Sequence, residues 1–262
     1  MKIAILYICT GRYNRFFSGF YESCKKYFLP EADKTFFVWT DDTNLADNLD
    51  DVIILPRKCA GFPADSLFRF EMFLQAEDEL KKYDYIYFFN ANAEIRHPVG
   101  VEILPDESGL AMGIWPGKRE RQHPMFFPYE RNKKSLAYVA PYGKNYTYFM
   151  GGINGGTSEA YLQMIHTLSK NIRDDYNRGI VAKVHDESHI NAYLRIHPCK
   201  KLDRMCCMPE EWIKDGEQPK IVFRNKVCVD SYFNKGRKFG VVARLKKGIS
   251  MIWNAVRWYL YI

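Results

Sequence analysis

The chain has 262 residues, of which 47% are hydrophobic and 16% aromatic, which is enough for one large or two small domains with a sizeable core. Its formal net charge of +7 indicates an anionic partner such as a nucleotide, a nucleic acid or a membrane surface. Seven cysteines without C-x-x-C spacing disfavour a disulfide framework or a zinc site, and we expect neither a signal peptide nor a membrane span, because no apolar run reaches 18 residues.

The first hundred residues alternate between strand and helix patterns. In chain order, we predict strands at Lys2–Ile8, Thr35–Trp39, Val52–Leu55 and Tyr83–Phe89, with helices at Tyr13–Phe28 and Asp65–Lys81. This alternation is typical of an α/β fold with a mostly parallel central sheet and crossover helices.

The second half of the chain continues this pattern around a long aromatic segment. We predict a strand at Gly109–Trp115, loops over a binding face at Pro116–Tyr146, a strand running into a glycine-rich turn at Tyr146–Gly156, a helix at Ser158–Asn177 capped by Thr157 or Ser158, and a shorter helix from His185 to Leu194. No linker is visible, so we expect one compact domain over 1–239, followed by a basic tail over 240–262.

The strand Tyr83–Phe89 changes abruptly to polar residues at its carboxyl end, where Asn90, Asn92 and Glu94 follow. Open α/β sheets place ligand-binding groups at this end of their strands. A plain Asn-rich turn is the alternative interpretation.

Four glycines lie within the six residues Gly151–Gly156. Glycine permits a close approach of the backbone to a ligand, or a positive φ, and a tight strand-to-helix turn is the simplest explanation of the cluster. The pattern is neither a Walker loop nor G-x-G-x-x-G.

The segment His185–Asn191 contains two acids, two histidines, a serine and an asparagine. His185 and His189 have the i, i+4 spacing of a zinc helix, but an Asp follows the first His where H-E-x-x-H has Glu, so zinc is disfavoured. Glycosyl chemistry suits the segment better, with Glu187 stabilising an oxocarbenium ion or attacking an anomeric carbon. A third segment, Phe127–Arg131, predicts by itself only a solvated charged loop.

Together, these segments resemble family 6 of the glycosyltransferases, the retaining α-1,3 enzymes that include the histo-blood-group A and B transferases. The matching stretches are VGVEILP at Val99–Pro105, PYERN at Pro128–Asn132, AYVAPYGKNYTYFMGGINGG at Ala137–Gly156 and HDESHINAYL at His185–Leu194. The resemblance covers about Lys2 to Arg237, and the expected absence of a membrane anchor and stem is similar to the bacterial branch. It implies a glycosyltransferase A-type fold, a Rossmann-like single catalytic domain that binds a UDP-sugar.

The resemblance also implies roles for individual residues. Glu187 would be the catalytic carboxylate beneath the anomeric carbon. Donor-binding residues would be Ile8, Thr10, Tyr13, Arg69, Asn90, Asn92, Met150, Gly151, Gly152, Asp186, Arg224 and Lys226. Acceptor-binding residues would be Trp115, His123, Val184 and Glu187, although Val184 replaces the Trp that usually precedes HDESH.

Asn90 and Asn92 stand where the animal enzymes carry Asp-x-Asp, which holds a divalent cation on the donor diphosphate. Neutral amides are poor ligands for a hard dication, so we predict no metal and no other cofactor. Basic side chains would take over the charge of the cation: Arg69, Arg224 and Lys226, with Lys235, Arg237 and Lys238 as a second group. The alternative is a metal-dependent enzyme in which Glu94 and a phosphate recruit the cation.

Two residues of the glycine-rich stretch bear on the donor sugar. Gly152 leaves room for a C2 acetamido group and predicts UDP-GalNAc, whereas Met150 resembles the galactose-type choice. The predicted acceptor is a β-galactoside or its fucosylated form. The alternatives are a metal-dependent α-1,3-galactosyltransferase using UDP-Gal and a glycan- or nucleotide-binding protein without turnover. Nucleic acid is not expected, because the basic residues lie in a tail without base-reading motifs.

The last twenty residues, Ala243–Ile262, contain no acid and four Lys or Arg. Their apolar side chains and terminal Trp and Tyr predict an interfacial helix on an anionic leaflet, which would place the chain in the cytoplasm at the inner face of the membrane. A helix docked on the domain is the alternative.

Overall fold

The elements of the fold follow the predicted alternation closely in the first half of the chain. The computed structural model describes residues 1–116, 123–141, 145–234, 245, 248–253 and 255–256. Its strands are β1 (Lys2–Ile8), β2 (Asp33–Thr40), β3 (Val52–Pro56), β4 (Tyr85–Phe89), β5 (Ala93–Ile95), β6 (Leu110–Ile114), β7 (Phe149–Thr157), β8 (Lys200–Leu202), β9 (Met208–Pro209) and β10 (Ile221–Phe223). Its α-helices are α1 (Phe17–Tyr27), α2 (Ala64–Leu67), α3 (Arg69–Leu74), α4 (Glu77–Leu80), α5 (Ser158–Asn177), α6 (His185–Tyr193) and α7 (Lys226–Val229).

Seven strands form the central sheet in the order β3-β2-β1-β4-β7-β6-β8. Parallel pairing joins β3 to β2, β2 to β1, β1 to β4 and β6 to β8, whereas β7 is antiparallel to both β4 and β6. The predicted α/β fold with a mostly parallel sheet is therefore confirmed.

Strand β1 shows how the sheet separates two apolar layers. Ile3, Ile5 and Tyr7 point to the layer that contains α1, and Ala4 and Leu6 point to the layer that contains α3, α5 and α6. All five side chains are fully buried, as the strand's continuous apolar run requires.

The glycine-rich stretch is a strand, so the predicted turn at this point is wrong. None of the four described glycines between 151 and 156 has a positive φ. A Cβ on Gly155 would lie 2.3 Å from Cδ1 of Tyr87, and one on Gly156 would lie 2.3 Å from the carbonyl oxygen of Gly109. The last two glycines therefore allow close packing within the protein, and β7 runs straight through them to the Thr157 cap of α5.

Two predicted helices are divided in the structure. The segment Tyr13–Phe28 contains the end of a 3₁₀ turn, Gly11–Phe16, and then α1. The segment Asp65–Lys81 is interrupted at Phe68 and Ala76, whose ψ angles are 17° and 14°, so three short helices replace one. Neither break is marked by Gly or Pro.

A small second sheet brings the C-terminal part of the domain to the polar end of β4. Strand β10 pairs antiparallel with β5 and parallel with β9. Just beyond this pairing, the Arg224 amide donates to the Asn92 carbonyl at 2.8 Å. Residues 221–234 therefore pass the carboxyl ends of the parallel strands.

Within the part of the tail that the structure describes, residues 245, 248–253 and 255–256 are helical. Leu245, Ile249, Ile252 and Trp253 are each more than half exposed there. No helix among the described residues combines the length and the hydropathy that crossing a membrane requires.

Candidate active site

A cavity of about 520 Å³ opens at the carboxyl ends of β1 and β4. Among the predicted donor-binding residues, those that line it are Ile8, Thr10, Tyr13, Arg69, Asn90, Asn92 and Lys226. Its wall also contains residues that the sequence did not single out, namely Gly11, Arg12, Cys59, Gly61, Phe62, Asp65, Ser66, Phe88, Ala91, Tyr232 and Phe233. Residues more than 200 positions apart thus meet in one concave site, where open α/β folds bind ligands.

Helix α6 begins with an unusual turn that presents its two acids. His185 has a φ of +48°, in the left-handed region. The His185 amide donates to the Ala182 carbonyl at 2.9 Å, and the Val184 amide donates to Ser188 Oγ at 2.9 Å. The chain therefore enters α6 sharply, and Asp186 and Glu187 occupy its first turn.

Asn191 ties this helix to β7. Its Oδ1 accepts from the Phe149 amide at 2.9 Å, and its Nδ2 donates to the carbonyls of Phe149 and Glu187, both at 2.8 Å. This explains structurally why an asparagine follows the two acids at this spacing.

Three donors converge on the Glu187 carboxylate. Oε1 accepts from Tyr148 Oη at 2.6 Å and from Trp115 Nε1 at 3.3 Å, while Oε2 accepts from the Gly151 amide at 2.7 Å. These bonds fix the orientation of the carboxylate, as a nucleophile or a cation-stabilising group requires.

Arg69 connects the cavity to the acids. Its Nη2 lies 2.7 Å from Asp186 Oδ2, and its Nη1 donates to the Gly151 carbonyl at 2.9 Å. Its Nε is buried and has no hydrogen-bond acceptor among the described residues, and the guanidinium carbon lies 4.4 Å from the centre of the Phe88 ring.

Burial raises the pKa values of both acids. For Asp186, the adjacent Arg69 guanidinium opposes this shift. For Glu187, hydrogen bonds from Tyr148 and the Gly151 amide oppose it, whereas the charge of Asp186 adds to it. The site therefore combines a paired acid with a second acid held by neutral donors.

This arrangement can be compared with known proteins. The sequence model described as glycosyltransferase family 6 matches residues 1–222, most of the chain. The chain belongs to glycosyltransferase family 6. Members of this family transfer a sugar from a nucleotide-sugar donor to a glycan acceptor, so the protein is a hexosyltransferase.

Individual relatives support this assignment. The O-antigen biosynthesis glycosyltransferase WbnI of Escherichia coli is 35% identical over 237 residues, covering 89% of this chain and 99% of WbnI. Globoside alpha-1,3-N-acetylgalactosaminyltransferase 1 of Gallus gallus is 25% identical, covering 84% of this chain and 64% of the relative. Histo-blood group ABO system transferase 2 of Rattus norvegicus is 27% identical, covering 76% and 61%. The chain thus spans almost all of WbnI and about three fifths of the two animal enzymes.

Within this family 6 site, Gly151 rather than Gly152 faces the acids. A Cβ on Gly151 would lie 3.2 Å from Arg69 Nη2 and 3.3 Å from Asp186 Oδ2. A Cβ on Gly152 would lie 2.9 Å from Met150 Cε and 2.9 Å from the Phe223 ring. The space in front of Gly152, which was predicted to hold a C2 substituent, therefore contains the flexible end of Met150.

Asn90 and Asn92 follow β4, and both line the cavity. Asn92 Nδ2 donates to the Arg224 carbonyl at 2.8 Å, so this amide joins β4 to the C-terminal segment. The Glu94 carboxylate lies 3.1 Å from Arg96 and 3.5 Å from Arg224. Glu94 is thus ion-paired rather than directed at a diphosphate, and among the described residues no cluster of three His, Cys, Asp or Glu could hold a metal ion. The guanidinium of Arg224 lies beside Glu94, outside the cavity wall.

Lys226 is the basic residue that α7 contributes to the cavity wall. It lines the cavity, its Nζ donates to Tyr13 Oη at 3.1 Å, and it makes no ion pair with any described residue. Tyr13 also packs on Phe233, with a ring distance of 4.8 Å. Lys235, Arg237 and Lys238 lie outside the described residues.

The predicted acceptor residues are not gathered in one place. Trp115 contacts Glu187 directly, and Val184 lies one residue before α6. His123 is exposed and its Nδ1 accepts from the Met125 amide at 3.3 Å, at the start of the 3₁₀ turn Pro124–Phe126. Residues 117–122, between Trp115 and His123, are not among the described ones.

None of the residues Phe127–Arg131 is exposed, so the expectation of a solvated loop there is wrong. Tyr129 and Glu130 are 1% and 8% exposed, and Tyr129 packs with Phe127, Val139 and Tyr148 in a small apolar cluster. Tyr148, which sequence reasoning missed, therefore receives its position from this segment. Its place three residues before the glycine-rich stretch was the one available signal.

Proposed function

We propose that this family 6 enzyme transfers GalNAc from UDP-GalNAc, with retention of the anomeric configuration, to the 3-position of a β-galactoside or its fucosylated form. The observation that supports this reaction is the Glu187 carboxylate, held by Tyr148, Trp115 and the Gly151 amide beside the Arg69–Asp186 pair. In this role, Glu187 faces the anomeric carbon and stabilises positive charge there or attacks it. Asp186 binds hydroxyl groups of the donor sugar.

We propose further that the reaction needs no divalent metal. Amides at Asn90 and Asn92 bind a hard cation poorly, and Glu94 is engaged by two arginines. The charge on the leaving diphosphate is instead stabilised by Lys226 and by Arg69, both of which line the cavity.

UDP-Gal is a second candidate donor because of one specific observation. The methyl group of Met150 and the Phe223 ring lie close in front of Gly152, which favours a donor with a small C2 substituent. Since one extra group in a pocket changes transition-state binding by only about 1–3 kcal/mol, we expect a preference rather than absolute selectivity. UDP-GalNAc remains the proposal because Met150 is flexible and Gly152 carries no side chain.

The test is to supply UDP-GalNAc and UDP-Gal at equal concentration with a β-galactoside acceptor, and to assign the linkage and anomeric configuration of the product by NMR. A galactosylated product would overturn the donor assignment, and a β-linked product would overturn retention. Glu187→Gln is the matched control: transfer should fall on the order of 1,000-fold while the affinity for UDP stays close to wild type. Release of UDP only at the background rate in the wild type would favour a non-catalytic binding protein.

We also propose that the enzyme works in the cytoplasm with its tail on the anionic inner face of the membrane. Leu245, Ile249 and Ile252 follow helical spacing and are more than half exposed, and the tail's charged residues are all basic. Sedimentation with anionic vesicles tests this. Ile249→Asp with Ile252→Asp should reduce binding, and equal binding of both chains would favour a helix docked on the domain.

A further inference from the structure

Glu130 is a buried carboxylate that the proposed reaction does not use directly. The residue as a whole is 8% exposed. Both of its carboxylate oxygens accept hydrogen bonds from backbone amides. Oε1 accepts from the Asn132 amide at 2.7 Å, within its own loop. Oε2 accepts at 2.7 Å from the Lys183 amide, which belongs to the segment leading into α6.

Lys183 stands at the beginning of the sharp turn that precedes the two acids. The backbone amides of Lys183, Val184 and His185 are each held by a different acceptor: Glu130, Ser188 Oγ and the Ala182 carbonyl. The last two acceptors belong to α6 and to the turn itself, respectively. Glu130 is therefore the acceptor that fixes the turn relative to a different part of the molecule.

The turn needs such a restraint because His185 has a φ of +48°. The left-handed region is strained for a residue with a side chain, although histidine tolerates it better than most. A bond from an amide to a buried carboxylate is stronger than one between neutral groups, and it opposes relaxation of this conformation.

Glu187 lies two residues after His185, and its position depends on this turn. Its carboxylate meets Tyr148 Oη at 2.6 Å and the Gly151 amide at 2.7 Å, and hydrogen bonds of this length leave little tolerance for displacement. A displacement of about 1 Å at a reacting group can lower a rate by about 100-fold.

We propose that Glu130 is a positioning residue for Glu187: it holds the Lys183 amide, keeps the turn at His185 in its left-handed conformation, and so aims the catalytic carboxylate. This inference rests on the proposed function of Glu187. It also gives the PYERN segment a specific role beyond packing.

The loop that carries Glu130 has other anchors, so it should remain folded without this bond. Tyr129 Oη donates to the Thr147 carbonyl at 2.7 Å, and the Val139 amide donates to the Glu130 carbonyl at 3.0 Å. Asp175 accepts from Ser135 Oγ at 2.5 Å and from the Leu136 amide at 3.0 Å.

The test is Glu130→Gln in the full chain. Glutamine has one acceptor oxygen, and its NH₂ group cannot accept from an amide, so only one of the two backbone bonds survives. We expect kcat to fall about 10- to 100-fold, while the KM of the donor, the affinity for UDP and a UDP stoichiometry of one are kept. The matched control is Asp106→Asn, because Asp106 also accepts from a backbone amide, that of Ser108 at 3.0 Å, but serves only its own turn. It should change none of these quantities.

Two further measurements separate positioning from a general structural role. Hydrogen–deuterium exchange of the amides between residues 183 and 187 should be faster in Glu130→Gln than in wild type, with little change elsewhere; this readout does not depend on turnover, so it stands even if the proposed reaction is wrong. Adding His185→Gly should restore part of the lost kcat, because glycine adopts the left-handed conformation without strain. An unchanged kcat, unchanged exchange at residues 183–187, or losses that simply multiply in the double variant would each overturn the proposal.

Discussion

The guanidinium of Arg69 lies 2.7 Å from the carboxylate of Asp186, and both side chains are less than a tenth exposed. Helix α3 supplies the arginine and α6 supplies the acid, so this pair joins two helices across β7, where Arg69 also bonds the Gly151 carbonyl. The pair therefore contributes to the architecture of the site as well as to its charge.

Replacing Arg69 should be costly to stability. Arg69→Gln leaves Asp186 buried without its cation, and breaking one partner of a buried pair typically costs about 3–5 kcal/mol. Urea denaturation of the purified variant measures this loss. Lys82→Gln is the control, because it breaks an exposed pair of the same length, 2.7 Å to Glu79, and should leave the midpoint almost unchanged.

Removing the Tyr148 hydroxyl should shift the acid limb of the pH–rate profile. Burial holds the pKa of Glu187 above its ordinary 4.5, while the Tyr148 hydrogen bond lowers it. Because the proposed role needs an ionised carboxylate, activity should fall with decreasing pH at a value above 4.5 in wild type, and at a still higher value in Tyr148→Phe. The measurement is kcat/KM against pH for both proteins, since this ratio reports the ionisable groups of the free enzyme. An acid limb at the same pH in both would contradict the assigned hydrogen bond.

Chelation of divalent metals should leave the reaction intact. With EDTA present, we expect the rate to stay within about twofold of the untreated enzyme, since the amides of Asn90 and Asn92 offer no carboxylate to a cation. Lys226→Ala should instead lower kcat about 10- to 100-fold, the usual size of a lost hydrogen bond to a charged group. Lys170→Ala, at an exposed residue of α5, is the control. A loss of activity in EDTA that manganese restores would show that a metal is required.

Stability should decrease as the pH falls toward 4, partly because of His189. Burial lowers the pKa of this imidazole from 6.5 to about 4 in the folded state, so it is neutral at pH 7 although Asp175 lies 3.7 Å away. Between these two pKa values, the unfolded chain binds a proton that the folded chain does not, so stability is lost as the pH drops from 6.5 toward 4. The contribution between pH 7 and pH 5 is about 2 kcal/mol.

The matched variant for this effect is His189→Gln, which cannot gain the proton. Between pH 7 and pH 5, its free energy of unfolding should decrease by about 2 kcal/mol less than that of wild type. Parallel pH dependences in the two proteins would mean that His189 titrates normally in the fold.

The local sequence predicted those features whose causes are local. Strand β1 begins and ends at the predicted residues, because its continuous apolar run has one stable place in the centre of a sheet. The roles of Asp186 and Glu187, by contrast, were implied by the family resemblance, and the structure places Asp186 beside Arg69.

Features that depend on a distant neighbour were not predictable in this way. The strand through Gly155 and Gly156 requires Tyr87 and Gly109 as close neighbours, and nothing near the glycines identifies them. Apart from the place of Tyr148 near the glycine-rich stretch, no feature of the nearby sequence distinguishes Tyr148 or Glu130 from other residues. Their importance appears only in the fold, where Tyr148 donates to Glu187 and Glu130 accepts from the Lys183 amide.

The position of β7 also affects how the chain folds while it is being synthesised on the ribosome. Although β7 lies between β4 and β6, it follows both of them in the chain. Ile86 of β4 therefore cannot pair with Gly156 of β7 until that residue has been synthesised. Until residue 157 has been synthesised, the aromatic strand Tyr85–Phe89 has one open edge, which makes the nascent chain prone to pairing with other chains. Closing the long connection from β6 to β7 is an entropic cost that precedes any binding of donor, so shortening that connection should speed folding without altering the finished sheet.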